Sequence, residues 1–336
     1  MEVEKTLNTL HGQFFMRPYR DEDEGNVIDL WEAAFHQKMD KRVWRWKFHD
    51  NPFGRQIMLC LTTENLPIAM YAGIPFSANW NGENIRMTQL IDNMSHPDYR
   101  QATNGRKGLF IQTAEHFFEV YGGAHASVYH YGFPGKKHFR LGNLFLHYSM
   151  VSEGGAYLTV ETSMLKKSHI PVFGHIRKVQ KVTEAFDNFW EKAKQHYPFS
   201  IKRDSQFIQW RFFENPVKEY TIYTYKNIKG EIMAWAVISI TDNTASIVDV
   251  LALPGSTVLM KLLWGIGREI QKKNISKIRI WLPQRHFVTN HFVKAGFAIT
   301  AEPLGIIPTG RSLYEKLDID FAKKSSYYTM GDGDLI

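Results

Sequence analysis

A seven-residue pattern occurs twice in this chain and constrains its fold more than any other feature. The stretch "WKFHDNP" begins at Trp46 and "WRFFENP" begins at Trp210, an offset of 164 residues. Both copies read Trp, a cation, Phe, any residue, an acid, Asn and Pro. Self-similarity at a fixed spacing is the sequence signature of a repeated structural unit. We therefore interpret the chain as two copies of one unit.

Further landmarks follow each copy in the same order. Two strand-like runs flank a polar turn, and an aspartate then stands five residues before a proline, as Asp92 and Pro97 in the first copy and Asp249 and Pro254 in the second. Next comes an amphipathic helix, "GLFIQTAEHFFEVYGG" or "STVLMKLLWGIGREIQKKN", and then a strand that ends at proline. Helices interleaved with strands predict a mixed sheet with helices on its faces.

The spacing of these landmarks predicts the domain boundaries. A chain of 336 residues is long for a single core, which also favours two domains. We expect domains at 13–163 and 176–322, a basic linker at 164–175 and a tail at 323–336. The acids of the tail sequence "GDGDLI" are expected either to fold into a cleft or to belong to a frayed terminus.

Composition excludes several classes of protein and site. The formal charge of +7 is spread along the chain with no block of five or more like charges, so no stripe for nucleic acid is visible. No apolar run approaches the roughly 20 residues that span a bilayer, and the first residues do not resemble a secretory signal. Cys60 is the single cysteine, which excludes a disulfide within the chain and Cys-clustered metal sites. We expect a cytoplasmic protein without a metal.

The two copies differ between the proline and the helix. The first copy inserts "DYRQATNGRKG" after Pro97, whereas the second has only Gly255 and Ser256 after Pro254. The amino terminus of a helix offers unpaired N–H groups and a partial positive charge, and glycines let the backbone approach an anion closely. The inserted loop therefore suits a pyrophosphate group. A solvated surface loop with turn-forming glycines is the alternative.

The order of strand, "SHPDYR", glycine-basic loop, helix, strand and "GFP" resembles motifs A and B of the GCN5-related N-acetyltransferases (GNATs). The upstream "WRWKFHDNP" and the closing "YYTMGDGD" are similar to a bacterial subgroup with two such domains in tandem. The resemblance covers nearly the whole chain. It implies an α/β protein of two tandem GNAT-like domains, each a mixed, mostly antiparallel twisted sheet flanked by helices. The first domain would bind acyl-CoA and be catalytic, and the second would be degenerate.

The resemblance also implies the residues that bind acetyl-CoA. Backbone N–H groups of the loop would hold its pyrophosphate, and backbone groups of the preceding strand would follow the pantetheine arm. The loop departs from the family pattern, because it carries five extra residues and has glycine where the family has a leading Gln or Arg. Arg100 could serve instead, and Lys136 and Lys137 could contact phosphates. The predicted cofactor-binding residues are Asn93, Met94, Ser95, Arg100, Gly105, Arg106, Lys107, Gly108 and Leu109.

The same resemblance implies two candidates for proton transfer. Asp92 lies where the family often places a general base, and Tyr148 lies where it often places the acid that protonates the leaving thiolate. Asp249 occupies the place of Asp92 in the copy that lacks the loop, so a structural role for both aspartates is the alternative. For Tyr148 the alternative is a half-buried strand tyrosine.

The resulting hypothesis is an N-acetyltransferase that transfers an acetyl or other acyl group from acetyl-CoA to a primary amine of a small acceptor. One alternative is an aminoacyl-tRNA-dependent peptidoglycan transferase of the FemABX type, which has tandem domains of this fold. The other is a catalytically inactive binding protein with the GNAT fold. The sequence does not identify the acceptor, the acyl-chain length or the oligomeric state.

Overall fold

The computed structural model of the chain describes residues 3–99, 108–151, 155–166, 174–255 and 257–333. The chain divides into two compact units. Unit 1 comprises Met1–Ser77, Ile85–Ser149 and Thr309–Ile319, and unit 2 comprises Ala78–Asn84, Met150–Pro308 and Asp320–Ile336. Each unit is therefore assembled from three separate segments of the chain.

Unit 1 is built on one mixed sheet. Its strands, in the order in which they neighbour one another, are β1 (Lys5–Thr9), β2 (Gly12–Pro18), β3 (Gln56–Leu61), β4 (Pro67–Trp80), β5 (Glu83–Ser95), β6 (Tyr129–Gly132) and β16 (Thr309–Ser312). The pairing of β5 with β6 is parallel, whereas β1–β2, β2–β3, β3–β4 and β6–β16 are antiparallel. Its helices are α1 (Glu24–Phe35), α2 (Lys41–Phe48), α3 (Leu109–Tyr121) and α4 (Lys136–Phe145).

Helix α3 covers the middle of this sheet. Its apolar face recurs every three to four residues, and Phe117 and Phe118 pack on Met58 of β3 and Tyr71 of β4. Every residue of β3 is buried, as expected for a central strand covered on both faces. The core of unit 1 therefore fixes the position of α3 relative to the strands that precede it.

Unit 2 is built on a second mixed sheet. Its strands, in neighbouring order, are β15 (Ala298–Thr300), β8 (Gly155–Glu161), β14 (Lys277–Pro283), β13 (Thr244–Ala252), β12 (Ile232–Thr241), β11 (Thr221–Asn227) and β9 (Gly174–Lys178). Its helices are α5 (Ala185–Ala193), α6 (Ser205–Ile208), α7 (Thr257–Gln271), α8 (Phe287–Lys294) and α9 (Ile319–Ser325). The short strand β10 (Phe199–Ile201) pairs with the last residues of β4, and β7 (Ser149–Met150) has two residues.

The order of elements repeats between the units. Unit 1 runs β3, β4, β5, α3, β6 and α4, and unit 2 runs β11, β12, β13, α7, β14 and α8. In each run the helix connects two parallel neighbouring strands. The predicted fold class, two mixed and mostly antiparallel sheets flanked by helices, is confirmed.

The repeated motif occupies the same kind of position in both units. Trp46 and Trp210 are buried core residues. The side-chain oxygen of Asn51 accepts a hydrogen bond from the backbone N–H of Phe53, and Asn215 accepts one from Val217. These are turns in which asparagine bonds the backbone two residues on. Among the described helices, none is long and apolar enough to cross a membrane.

Candidate functional site

Strands β5 and β6 separate halfway along β5. Their parallel ladder joins Met87–Gln89 to Tyr129–Tyr131. Gly132 still lies close to β5, because a Cβ built on Gly132 would be 3.5 Å from the carbonyl oxygen of Leu90. Strand β5 continues to Ser95, and among the described residues no strand extends this ladder past Gln89. The second half of β5 therefore keeps backbone groups on this side that a ligand could pair with.

Asp92 marks the point of separation with an irregular backbone. Its φ of 50° lies in the left-handed region, which aspartate and asparagine tolerate better than most residues. Such a conformation is unfavourable by about 1 kcal/mol and re-aims the side chain, as β-bulges beside active sites do. The carboxylate of Asp92 therefore points in a direction that a regular strand would not allow.

Two helices hold the carboxylate of Asp92. The indole Nε1 of Trp31 in α1 donates to Oδ1 at 3.1 Å, and Nζ of Lys47 in α2 lies 2.9 Å from Oδ2. The side chains of Asp92 and Lys47 are only 8% and 12% exposed, so this ion pair is shielded from water. Neither Trp31 nor Lys47 was among the site residues predicted from the sequence. The sequence feature that could have identified Lys47 is its position as the cation of the repeated motif.

Helix α3 begins with a residue that cannot cap it. Gly108 is the N-cap, in extended conformation (φ −67°, ψ 148°), and it has no side chain to accept from the first-turn N–H groups. The side chain of Leu109 is buried in a cluster with Ile68, and the carbonyl oxygen of Ile68 accepts from the N–H of His96 at 2.8 Å. Both the start of α3 and the end of β5 therefore lie beside Ile68.

The structure thus brings together the described members of the predicted cofactor site. Met94 is buried, and the side chain of Asn93 accepts a hydrogen bond from the N–H of Ala72 at 2.8 Å. Gly108 and Leu109 begin the neighbouring helix. Ser95 is the last residue of β5. The remaining four predicted members, Arg100, Gly105, Arg106 and Lys107, lie outside the described residues.

Tyr148 lies in the core of unit 1. Its ring packs on Gly142, where any Cβ would clash with it, and its hydroxyl forms a hydrogen bond with the hydroxyl of Tyr71. Burial raises the pKa values of both tyrosines, and the charge of Arg311 opposes that rise. Tyr148 therefore holds its proton at neutral pH.

Arg311 is a further residue that sequence analysis did not identify. Its guanidinium lies 4.2 Å from the ring centroid of Phe118 and donates to the carbonyl oxygen of Leu146 at 3.1 Å. Burial lowers its pKa, and no carboxylate among the described residues forms an ion pair with it. Arg311 belongs to strand β16, which is far from β6 in the sequence. No local sequence pattern therefore predicts that it lies near Tyr148.

Two exposed cations begin helix α4. Lys136 and Lys137 occupy its first turn after the N-cap Gly135, and that turn contains no acidic residue. Neither lysine forms an ion pair within the described part of the chain. Cations are unfavourable at the positive end of a helix unless an anion offsets them. Their position directly after β6 places them at the end of the strand that separates from β5.

The remaining candidate chemistry is excluded or not found. Cys60 is fully buried, and burial raises the pKa of its thiol to about 12, so it is not a thiolate nucleophile. Within the described ranges, no group of three or more His, Cys, Asp or Glu side chains could hold a metal ion.

Comparisons with known proteins agree with this architecture. The family model described as "Acetyltransferase (GNAT) domain" matches residues 16–134. A probable N-acyltransferase of unknown function from Enterococcus faecalis has a TM-score of 0.68 at 15% identity, over 90% of this chain and 72% of that chain. A GCN5-related N-acetyltransferase from Anabaena variabilis has a TM-score of 0.67 at 13% identity, over 89% and 73%.

A third solved structure covers almost the whole of both chains. N-myristoyltransferase from Saccharomyces cerevisiae, solved with bound myristoyl-CoA, has a TM-score of 0.57 at 11% identity, over 99% of this chain and 91% of that chain. A comparison with curated protein sequences returned no match. Residues 16–134 thus match a GNAT acetyltransferase domain, within a chain that has the fold of the GCN5-related N-acetyltransferases.

Proposed function

We propose that this protein is an N-acyltransferase that binds acyl-CoA where β5 separates from β6 and transfers the acyl group to a primary amine. The observation that carries the proposal is that two elements meet beside Ile68. One is the second half of β5, which no described strand pairs with on the β6 side, and the other is the start of α3, whose N-cap Gly108 has no side-chain acceptor. One offers backbone groups along an edge, and the other offers N–H groups with a partial positive charge. The amide-rich pantetheine arm and the diphosphate of CoA match these two features respectively.

The positive charges near the site support the same ligand. Backbone N–H groups at the start of α3 would contact the diphosphate, as they do at other helix termini that bind phosphate. Lys136 and Lys137 at the start of α4 would contact the remaining phosphates, which accounts for cations at an otherwise unfavourable helix end. The predicted roles of Arg100, Gly105, Arg106 and Lys107 remain part of this proposal.

The reaction requires two proton movements. The amine nitrogen attacks the thioester carbonyl carbon, the C–N bond forms, and the C–S bond breaks as the thiolate leaves. The proton lost by the amine passes to Asp92, directly or through a water molecule, and the thiolate takes up a proton from Tyr148. Trp31 and Lys47 keep the carboxylate of Asp92 in one orientation. A backbone N–H beside Asp92 would stabilise the oxyanion that forms in the transition state.

Titration of the purified protein with acetyl-CoA and with longer acyl-CoA thioesters tests the proposal. We expect saturable binding by calorimetry, and release of free thiol when a panel of small primary amines is added. If acyl-CoA binds but no amine in the panel releases thiol, the result would indicate a CoA-binding protein without this transferase activity. Failure to bind any acyl-CoA would contradict the proposed function and favour a non-enzymatic role.

Replacing Asp92 by asparagine should slow the transfer step. Asparagine is nearly the same size but cannot take up the amine proton, so we expect kcat to fall about 100-fold, with KM for acyl-CoA within about threefold. Asp98→Asn is the matched control, because Asp98 is an exposed carboxylate six residues further along the chain. Equal activity of both variants would assign Asp92 a purely structural role as the partner of Lys47.

Replacing Tyr148 by phenylalanine tests the proton donor. Each single variant, Tyr148→Phe or Tyr71→Phe, breaks the same buried hydrogen bond, so we expect both to lower the free energy of unfolding by about 1–2 kcal/mol. Only Tyr148→Phe removes the proposed donor, and we expect it alone to lower kcat, by about tenfold. Similar kcat values for the two variants would show that Tyr148 contributes packing and not proton transfer.

A further inference from the structure

Unit 2 has the same separation of parallel strands as unit 1. Strands β13 and β14 pair over Thr244–Ile247 and Lys277–Ile280, and both strands continue beyond that ladder. The pairing of β12 with β13 shifts register between Val237 and Ile238, which places an extra residue just before Asp249. An aspartate beside a backbone irregularity therefore lies where the strands of unit 2 diverge, as Asp92 does in unit 1.

This second gap is filled by a later segment of unit 2 itself. We call residues Tyr327–Gly333 the C-terminal plug. The hydroxyl of Tyr327 donates to the carbonyl oxygen of Val250 in β13, and the ring of Tyr328 lies 5.2 Å from that of Trp281 in β14. The plug therefore contacts both diverging strands. It has no room to spare, because a Cβ on Gly331 would lie 3.2 Å from the side chain of Asp249.

A buried charge network holds the plug. The Nε atom of Arg203 lies 3.1 Å from both carboxylate oxygens of Asp249, and its guanidinium also pairs with Asp332 of the plug. None of these three side chains is more than 3% exposed. Thr329 completes the network, since its hydroxyl donates to Asp249 at 3.0 Å and its N–H donates to Asp332 at 2.7 Å. Burying a charge is unfavourable unless the charge is paired and hydrogen-bonded, so the burial of Asp332 depends on these partners.

The cation of the repeated motif takes part in this arrangement. Lys47 and Arg211 hold the same position in "WKFHDNP" and "WRFFENP". In unit 1 Lys47 pairs with Asp92. In unit 2 Arg211 donates instead to the carbonyl oxygens of Gly331, at 3.0 Å, and Gly333. One motif position therefore orients the site aspartate in unit 1 and the plug in unit 2.

We propose that the diverging strands of unit 2 form a peptide-binding site whose permanent occupant is the C-terminal plug of the same chain. The carbonyl oxygen of Val250 in β13 accepts from the hydroxyl of Tyr327. Arg203 pairs with the carboxylate of the bound segment, and Arg211 donates to its carbonyl oxygens. The plug closes this gap to acyl-CoA. The expected number of CoA sites rests on the proposed function. If unit 1 binds acyl-CoA and the gap in unit 2 is closed, the chain binds one acyl-CoA.

Hydrogen–deuterium exchange on the full chain tests the plug without any cofactor. The N–H groups of Thr329, Gly331, Asp332 and Gly333 are all hydrogen-bonded, so we expect them to exchange as slowly as those of β13 and to be unaffected by acetyl-CoA. In Arg211→Gln we expect plug exchange to be at least tenfold faster, with β5 unchanged. The inference would be overturned if the plug of the unmodified chain exchanged at the rate of an unfolded peptide. That result would mean that the segment is not held between the strands in solution.

Calorimetric titration with acetyl-CoA tests the stoichiometry. We expect one site per chain, and we expect Gly108→Glu to abolish it. Two sites, with one retained in Gly108→Glu, would contradict a closed gap in unit 2 while upholding the site in unit 1. Absence of binding in the unmodified chain would contradict the proposed function, and the exchange measurement would still decide whether the plug is a fixed occupant.

Discussion

Replacing Gly108 by glutamate is expected to lower the affinity for acyl-CoA roughly 1,000-fold or more. The change places a carboxylate at the N-cap of α3, where we propose that the diphosphate binds. Two like unit charges about 4 Å apart near a protein surface repel each other by about 4 kcal/mol. A loss of that much binding free energy raises Kd roughly 1,000-fold. The glutamate would also compete for the N–H groups of the first turn. Calorimetry or competition with a fluorescent CoA analogue measures the change.

The glutamine variant at the same position separates charge from size. The backbone of Gly108 has negative φ, so neither substitution introduces backbone strain at that residue. We expect Gly108→Gln to weaken binding far less than Gly108→Glu, and the difference to shrink in high salt. Equal loss in the two variants would indicate steric blockage alone. Full affinity in both would contradict the placement of the diphosphate at α3.

The second large effect is expected from Arg203→Met. This change leaves Asp249 and Asp332 buried without their shared counter-charge, and removal of one partner from a buried network destabilises proteins by about 3–5 kcal/mol. Denaturant unfolding followed by tryptophan fluorescence measures the loss. Arg268→Met is the control, because that exposed guanidinium lies over the ring of Trp264 and has no buried carboxylate to neutralise.

The loss in Arg203→Met should depend on pH in a defined direction. In the unmodified chain, burial raises the pKa of Asp249 to about 6, Arg203 opposes the rise, and Asp332 adds to it. A carboxyl group whose pKa is higher in the folded state contributes stability at low pH that is lost as the pH rises through that value. Without Arg203 protonation becomes more favourable still, so the destabilisation should be smaller at pH 5 than at pH 8. A deficit independent of pH would indicate lost packing and not lost charge neutralisation.

Much of the fold could be predicted because the chain carries its own internal comparison. The offset between Trp46 and Trp210 aligned strands and helices whose individual patterns are ambiguous. The glycine-basic insertion then marked the segment between the proline and the helix as a place where the copies differ in length. Periodicity within "GLFIQTAEHFFEVYGG" placed the buried face of α3, because its core contacts follow from one helical repeat.

The partners of the site residues could not be predicted from local pattern. Trp31 and Lys47 meet Asp92 across 61 and 45 positions of the sequence, and such contacts depend on how whole elements pack. Arg311 reaches Tyr148 from a strand that the repeat did not assign to the first unit. Asp332 illustrates a third case, because it lies outside any long periodic element and its charge partner, Arg203, is 129 positions away in the sequence.

The division of unit 1 into separate segments affects the order in which it can form during synthesis. Strand β16, which pairs with β6, begins 177 residues after β6 ends, at Thr309 as against Gly132, and so leaves the ribosome much later. Until it emerges, one edge of β6 has no partner, and unpaired edges invite association with other chains. The sheet of unit 1 therefore stays incomplete until the long segment of unit 2, Met150–Pro308, has been synthesised.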